Sequence, residues 1–295
     1  MANLRDVRLR MRAITQTLQV TKAMNLISTA KLRKGRRVLE DTEPYFTRIQ
    51  KSMYDILSSA GRVQSEFLHA RKKDKSYHTA IVVITSDKGL AGGYNANIFR
   101  HVMGLCKKVT NPLLILIGSI GYRYFDHSPY LILENFSFKS QMPTVENAKE
   151  IADYLVSQYE WGMFDEVHVV YTHMYSTIKL LPSERQILPL DTKTIQEELT
   201  QAEQEKRVDL HFEFLPSAEE VFHALVPLYV KGIVYGALVE AYVSEQSARM
   251  AAMDEASKSA EDMLATLQIY YNRVRQAGIT QEMSEIISGS ASLND

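Results

Sequence analysis

The side chains that could do chemistry lie scattered along this chain of 295 residues. Asp165 and Glu166 are adjacent, so on a strand their carboxylates point apart and form a poor acid–base pair. His168 and His173 are five residues apart on the same predicted strand, hence on opposite faces, which argues against a shared metal ion. Cys106 is the only cysteine, which excludes intrachain disulfides and thiolate clusters, and we expect it to be a small buried packing residue. Neither G-x-S-x-G nor H-E-x-x-H occurs, so the sequence predicts no catalytic centre and no metal site.

A glycine-rich loop, Gly-Leu-Ala-Gly-Gly-Tyr-Asn at positions 89–95, follows the first predicted strand. Such a turn before a helix can bind phosphate through backbone N–H groups. This loop lacks the Gly-Lys-Ser/Thr ending of a P-loop, the G-x-G-x-x-G spacing, and an acidic residue placed for a ribose. We therefore predict that the glycines permit a tight turn and that the chain binds no cofactor.

The charge is distributed very unevenly, although the formal net charge is only −1. Residues 1–37 contain ten basic residues against Asp6 alone, which gives +9 and leaves −10 for the remainder. The ten are Arg5, Arg8, Arg10, Arg12, Lys22, Lys31, Arg33, Lys34, Arg36 and Arg37. This segment favours an anionic partner, which composition alone leaves open between nucleic acid, a membrane surface and an acidic protein. No aromatic residue precedes Tyr45, so base stacking is not offered and nucleic acid is the weaker choice.

No stretch approaches 18 uninterrupted apolar residues, so the sequence predicts no membrane span. The N-terminal residues MANLRDVRLRMR are charged where a signal peptide needs an apolar stretch. An Arg-rich mitochondrial transit peptide is the rival interpretation. The helical repeat already begins at Leu4, however, which favours a folded N-terminus and a bacterial origin.

The first sixty residues carry a coiled-coil pattern, because apolar or small residues recur at alternating steps of three and four. These positions are Leu4, Val7, Met11, Ile14, Leu18, Thr21, Asn25, Ser28 and Leu32. The pattern predicts one long helix that ends near Gly61, with Gly35 and Pro44 as weak points.

The last eighty residues repeat this pattern. Ser217 and Glu220 have capping-box spacing, and Pro227 is expected to kink the helix that follows. The seam positions are Val239, Val243, Gln246, Met250, Met253, Ser257, Ala260, Leu264, Leu267, Tyr271 and Val274. We expect the two terminal helices to form an antiparallel coiled coil with each other.

The middle of the chain alternates between strands and helices, which is typical of βαβ units and a mostly parallel sheet. Strands are predicted at 78–85, 113–117 and 166–172, with possible edge strands at 184–190 and 210–214, and a solvated helix or linker at 194–207. The expected fold class is therefore a Rossmann-like α/β domain with a long α-helical extension. The expected segments are a helix over 1–61, a foot domain over 76–214 and a helix over 217–288.

Four stretches resemble conserved motifs of the gamma subunit of F-type ATP synthases, in that family's order and spacing. They are Thr21-Lys-Ala-Met24 with Ala30-Lys31-Leu32, the run from Ser86 to Asn95, the run from Ser244 to Met253, and the run from Asn272 to Gly289. The chain departs from the family's usual residues at 17–20, 25–28 and 246–247. The cysteine insertion of chloroplast relatives is absent, so no thiol switch is expected.

This resemblance implies a non-catalytic central-stalk rotor that stands on the axis of a ring of three alpha and three beta subunits. Its rotation would couple ion translocation to ATP synthesis or hydrolysis on beta. Lys22, Met24, Arg275 and Gln276 match family positions that contact beta. The C-terminal end is poor in charge, which suits an apolar bearing formed by Ile279, Met283, Ile286 and Ile287.

The resemblance also implies that the α/β domain binds the epsilon subunit and the ring of c subunits. The expected location is the cytoplasmic face of the bacterial plasma membrane, where the chain touches the membrane only through the c-ring. Two other classes stay open from the residues alone. One is a nucleic-acid-binding helical hairpin, suggested by the basic first helix, and the other is a nucleotide-dependent enzyme that uses the loop at 89–95.

Overall fold

The structure is a computed structural model that describes residues 4–59, 63–71, 76–138, 142–177, 179–191 and 214–291. The chain divides into two compact units. The first unit is Met1–Ser28 with Arg249–Asp295, and the second is Thr29–Ala248. These limits differ from the three segments expected from the sequence, because both divisions fall within the long terminal helices.

Two long helices lie near the two ends of the chain, as the sequence predicted. Helix α1 is Leu4–Ser59, with Pro44 inside it. Helix α5 is Ala218–Ala291, with Pro227 inside it. The backbone N–H of Glu220 donates to the Ser217 hydroxyl over 3.2 Å, so this serine caps the helix start as its spacing indicated.

Within the first unit, α1 and α5 pair through the predicted seam. Val7, Thr21 and Ser28 are buried, while the residues between the seam positions are largely exposed. The pairing is antiparallel, because Arg8 contacts Tyr271 and Thr21 contacts Ser257. The prediction of an antiparallel coiled coil is confirmed for this unit.

Among the residues that the structure describes, the second unit contains a five-stranded sheet in the order β3-β2-β1-β4-β5. Its strands are β1 (Thr79–Ile84), β2 (Pro112–Ile117), β3 (Leu131–Phe136), β4 (Glu166–Met174) and β5 (Leu180–Leu188). Its short helices are α2 (Tyr94–Cys106), α3 (Ser119–Phe125) and α4 (Val145–Glu160). All neighbouring strands run parallel except β4 and β5, which are antiparallel. This confirms a Rossmann-like, mostly parallel α/β domain.

Two strands show where the sequence pattern was informative and where it was not. The edge strand expected at 184–190 exists as part of β5. Strand β3 was not predicted, because its Glu134 and Asn135 interrupt the apolar run and only Phe136 is buried. The expected helix or linker at 194–207 and the strand residues 210–213 lie outside the described residues.

The core of the second unit is built on β1, whose six residues are all buried. Ile81, Val83, Leu114 and Leu116 pack with α2 and α3 on one face of the sheet. Helix α5 is tied to this domain, since Ser244 Oγ donates to the Thr172 carbonyl over 2.9 Å.

Helix α5 also contains an 18-residue window with a mean hydropathy of 1.5, long and apolar enough for a membrane span by length and composition. More than half of that window, 56%, is buried inside the protein. Phe222, Val226, Val230 and Val234 are each fully buried. These apolar residues serve the protein core, so the hydropathy does not indicate a span.

Candidate partner-binding surface

Polar contacts within the seam of the first unit set the register of the two helices. The hydroxyls of Thr21 and Ser257 are 2.8 Å apart and buried. Asn25 Nδ2 donates to the Met250 carbonyl over 3.1 Å. A buried polar group costs free energy unless it is paired, so a helix shifted along its partner would lose these bonds.

The faces that α1 and α5 turn away from the seam differ in charge. All ten basic residues in positions 5–37 are exposed. Between residues 4 and 28, α1 carries five basic residues and one acidic residue. Between residues 249 and 287, α5 carries four basic and six acidic residues. The first unit therefore has a basic side formed by α1, at about +4, and a mildly acidic side formed by α5, at about −2.

The two residues of α1 that were predicted to contact a partner lie in different environments. Lys22 is exposed, and its Nζ lies 2.7 Å from the Glu261 carboxylate. Because both groups are more than half exposed, this ion pair contributes little to stability. Met24 is half-buried beside the seam, so only part of its side chain is open to a partner.

The two predicted contact residues of α5 lie far from Lys22. Arg275 and Gln276 are adjacent and exposed. Fourteen residues separate Glu261 from Arg275, which is about 21 Å along a helix. The structure therefore does not gather the four residues into one site, and they form two separate patches on the first unit.

The C-terminal part of α5 presents an apolar surface. Its large apolar side chains are between 50% and 71% exposed: Ile279, Met283, Ile286 and Ile287. Their spacing of four, three and one places them along one side of the helix. The carboxylates nearby are Glu282 and Glu285, and Gln281 Nε2 donates to Glu285 over 3.0 Å.

The structure adds a second apolar stripe that the sequence analysis missed. Leu9, Val20, Leu26 and Ile27 on α1 are between 53% and 71% exposed. Leu9, Val20 and Ile27 lie close to one helical line, because steps of eleven and seven residues are near whole numbers of turns. The available signal was that these apolar residues fall off the coiled-coil repeat.

In the second unit, the loop at 89–95 is a structural turn held by side chains. The backbone N–H of Ser86 donates to Asn95 Oδ1 over 3.1 Å, and Asn95 Nδ2 donates to Ser86 Oγ over 2.7 Å. The left-handed conformations fall at Leu90, with φ 63°, and at Gly92, with φ 55°. Gly93 has φ −81°, so the tight turn depends on Gly92 and on a strained leucine.

The loop after β2 is fastened to the same region. Asp87 Oδ1 accepts a hydrogen bond from the Ser119 backbone N–H over 2.9 Å, and Ser119 Oγ donates to the Asp87 carbonyl over 2.9 Å. Thr85 Oγ1 donates to the Ile117 carbonyl over 2.8 Å. Thr85 and Asp87 therefore join the carboxyl ends of β1 and β2.

The two histidines of β4 have different carboxylate partners. His168 is buried, with Nδ1 2.9 Å from Glu184 and Nε2 3.2 Å from Glu166. His173 Nδ1 contacts Glu240 of α5. Each histidine therefore links β4 to neighbouring side chains, and the two do not share a site.

Two tyrosines near the amino ends of β1 and β4 have raised pKa values. Burial raises the pKa of Tyr159 to about 12. Burial, followed by the nearby Glu166 carboxylate, also raises the pKa of Tyr77, whose hydroxyl donates to Glu166 over 3.2 Å. Arg71 bonds the Tyr159 carbonyl over 3.0 Å and pairs with Asp165 at 3.4 Å. These groups hold the loop at 63–71 against the sheet.

Among the described residues, one group of three side chains has the spacing to hold a metal ion, namely Glu66, Glu160 and His223. All three are exposed, so water competes for any ion there. Cys106 is buried, and burial raises the pKa of its thiol to about 11. Such a thiol is a packing residue, as expected from the sequence.

Comparison with known proteins places the whole chain in one family. The family model described as ATP synthase matches residues 3–293. The ATP synthase gamma chain of Acetivibrio thermocellus is 42% identical over 294 residues, which is 99% of this chain and 100% of the relative. The sodium-ion-specific ATP synthase gamma chain of Acetobacterium woodii is 37% identical, with 99% of each chain covered.

Solved structures contain chains with the same fold. The central stalk and c-ring structure of Tetrahymena thermophila mitochondrial ATP synthase contains a similar chain, with a TM-score of 0.62 and 25% identity, covering 81% of this chain and 99% of that one. A chain of the Euglena gracilis mitochondrial ATP synthase shares the fold, with a TM-score of 0.63 and 17% identity, covering 98% and 94% of the two chains. These chains are components of rotary ATP synthases. The protein belongs to the ATP synthase gamma chain family.

Proposed function

We propose that this chain is the central-stalk rotor of a rotary ATP synthase and that it catalyses no reaction by itself. The observation that carries the proposal is the unequal charge of the two helices in the first unit, one basic and one mildly acidic. A single shaft of this kind cannot present the same surface to three surrounding sites. Its angle therefore determines which site receives which contact.

Coupling follows from these unequal contacts. A partner shifts a conformational equilibrium only when it binds the two states with different affinity. The basic side of α1 stabilises whichever beta conformation brings acidic groups closest to it. As the shaft turns, that preference passes from one catalytic site to the next, so rotation and ATP chemistry drive each other.

The basic side is available to such a partner. Lys22 is exposed, and its ion pair with Glu261 is exposed as well. An exposed pair is worth about 0–1 kcal/mol, so an acidic beta loop can replace Glu261 at small cost. The exposed stripe of Leu9, Val20 and Ile27 adds apolar contact area on the same helix.

The apolar end of α5 fits a rotating bearing. Ile279, Met283, Ile286 and Ile287 offer van der Waals contact without direction. A desolvated salt bridge there would hold one angle, since breaking it costs several kcal/mol. We propose that this surface turns inside an apolar sleeve formed by the alpha and beta subunits.

The second unit is proposed to bind the epsilon subunit and the c-ring at the cytoplasmic face of the bacterial plasma membrane. For the c-ring, support comes from the Tetrahymena central stalk and c-ring structure, which contains a similar chain. Contact with the membrane is then indirect, through the c-ring. The ions moved by the complex bind to other subunits.

The proposal is tested by reconstitution with alpha and beta subunits and measurement of ATP hydrolysis. The purified chain alone should hydrolyse no ATP, and its addition should restore hydrolysis to the alpha and beta subunits. Arg275→Ala with Gln276→Ala should lower that activity about tenfold, because a hydrogen bond to a charged group is worth about 1.5–3 kcal/mol. The isolated variant should keep its helix content, because both side chains are exposed.

Arg273→Ala is the matched control, since Arg273 is also exposed but faces another side of α5. It should retain near-normal activity. Normal turnover in the double variant, or an equal loss in the control, would count against this contact. Hydrolysis by the chain alone would contradict the non-catalytic role.

A further inference from the structure

The second unit contains a large cavity between α1, α5 and the β4–β5 edge of the sheet. Its volume is about 840 Å³, within the range of about 300–1,000 Å³ that is usual for small-molecule sites. We call it the α1–α5 cavity. Nothing in the rotor function requires a cavity of this size at that place.

Four elements form the walls of the cavity, namely α1, α5, β4 and β5. On α5, Tyr229, Gly232, Gly236 and Glu240 repeat at steps of three or four and so share one helical face. Helix α1 contributes residues between Leu39 and Lys51. These secondary-structure elements are fixed by the core, so the walls are preformed.

Glycine keeps the cavity open. A Cβ added at Gly232 would lie 2.4 Å from the Phe46 ring, so only glycine allows this approach of α5 to α1. A Cβ added at Gly236 would meet nothing within 4 Å. Gly236 therefore faces the open volume, and a larger side chain there would fill it.

The lining has a positive charge. Of the side chains that the structure describes, Arg48 and Lys51 of α1 and Arg185 of β5 line it, against one carboxylate, Glu240. That carboxylate already contacts His173 and accepts the Met174 backbone N–H over 3.2 Å. The balance of charge favours an anion in the cavity.

The lining also offers aromatic surface. Phe46, Tyr171 and Tyr229 line the cavity. Arg185 pairs with Val169 across the antiparallel strands, and Tyr171 is two residues further on β4, so Arg185 and Tyr171 are diagonal neighbours on one face. Guanidinium and ring surfaces together suit a flat apolar body that carries an acidic group.

We propose that the α1–α5 cavity binds a small organic anion with a flat aromatic body. The guanidinium and ammonium groups hold the acidic group, while the rings and glycine walls hold the flat body. This binding is independent of the partner-binding surface on the first unit, so it stands or falls separately from the rotor function.

The test uses the full chain and the fluorescent probe 1-anilinonaphthalene-8-sulfonate, with N-phenyl-1-naphthylamine as the uncharged probe of the same body. The sulfonate should bind saturably with one site per chain, and the uncharged probe at least tenfold more weakly. Gly236→Leu should abolish the saturable binding. Arg48→Gln with Lys51→Gln should weaken it about tenfold without loss of fold, because both are exposed.

Two controls fix the location. Gly104→Leu fills a different groove that is also lined by basic and aromatic residues, including Arg100, Lys107 and Tyr124. Arg33→Gln with Lys34→Gln removes the same charge from exposed positions elsewhere on α1. Both should bind the sulfonate like the wild-type chain. Unchanged binding in Gly236→Leu, equal binding of the uncharged probe, loss in the Gly104→Leu control, or no saturable binding would each overturn the proposal.

Discussion

Single polar side chains in the seam set the register of the two helices. Thr21 and Ser257 meet inside the helix pair at 2.8 Å, and Ser257 Oγ also donates to the Met253 carbonyl over 2.8 Å. An all-apolar seam would tolerate sliding, whereas the bond between Thr21 and Ser257 forms in one register of the two helices. A shaft that transmits torque needs such a fixed register.

At the residue scale, Cys106 should be inert to thiol reagents in the folded chain. Its thiol is buried and its pKa is raised to about 11, so at pH 8 only about one thousandth is thiolate. Ellman's reagent at pH 8 should release almost no colour from native protein. One equivalent should react after unfolding in urea, which serves as the control. Rapid reaction in the native state would contradict the burial of this residue.

Gly118 is the glycine whose replacement should cost most. Its φ is 98°, and an added Cβ would lie 2.4 Å from the Thr85 carbonyl oxygen. Gly118→Ala should therefore lower the free energy of unfolding by about 2–4 kcal/mol, from backbone strain and the clash.

Gly104→Ala is the matched control for that substitution. Its Cβ meets nothing within 4 Å, and alanine favours the helix by about 0.5–1 kcal/mol. Urea unfolding followed by circular dichroism compares the two. Equal stabilities of the two variants would refute the strain assigned to Gly118.

At this scale the sequence predicted the burial of a residue better than it predicted which distant residues that residue contacts. Cys106 was correctly expected to be buried. The pairing of Lys22 with Glu261 could not be foreseen, because it depends on the register between helices more than two hundred residues apart.

At the element scale, the long helices were predictable because their repeat of three and four residues persists over many turns. Seam positions such as Val7 and Ala260 are buried where the repeat placed them. Strand β3 was missed because an edge strand has one solvated side and carries a weak apolar signal. The antiparallel β5 was found only from Glu184 onward, since Pro182 and Ser183 interrupt the apolar pattern of its first half.

Leu264→Pro should disrupt the helix pair of the first unit. Leu264 lies on the seam of α5, and a proline in a helix interior costs about 3 kcal/mol or more because it removes a hydrogen bond and clashes with the preceding turn. Helix content and the unfolding temperature of the isolated chain should both fall.

Leu264→Ala is the control, because it removes apolar contact while keeping a good helix former. It should reduce stability with little change in helix content. Normal assembly and unchanged helix content in Leu264→Pro would mean that the pairing assigned to this helix is wrong.

At the scale of the whole molecule, the two units have different structural features. The first carries an antiparallel pair with unlike charged sides and an apolar end, and the second carries a packed sheet and the α1–α5 cavity. The family could be predicted from four sequence motifs because they span almost the entire chain. The cavity could not be predicted, since its lining comes from α1, β4, β5 and α5, which are spread along most of the sequence.

The most direct test of the rotor account is observation of rotation in a reconstituted complex. Trp161 of the second unit is 78% exposed, so Trp161→Cys provides one reactive thiol for a bead while Cys106 stays buried. With alpha and beta subunits fixed to a surface, ATP should drive the bead in one direction with three pauses per turn. Full ATP hydrolysis by complexes whose securely attached beads stay still would contradict the account.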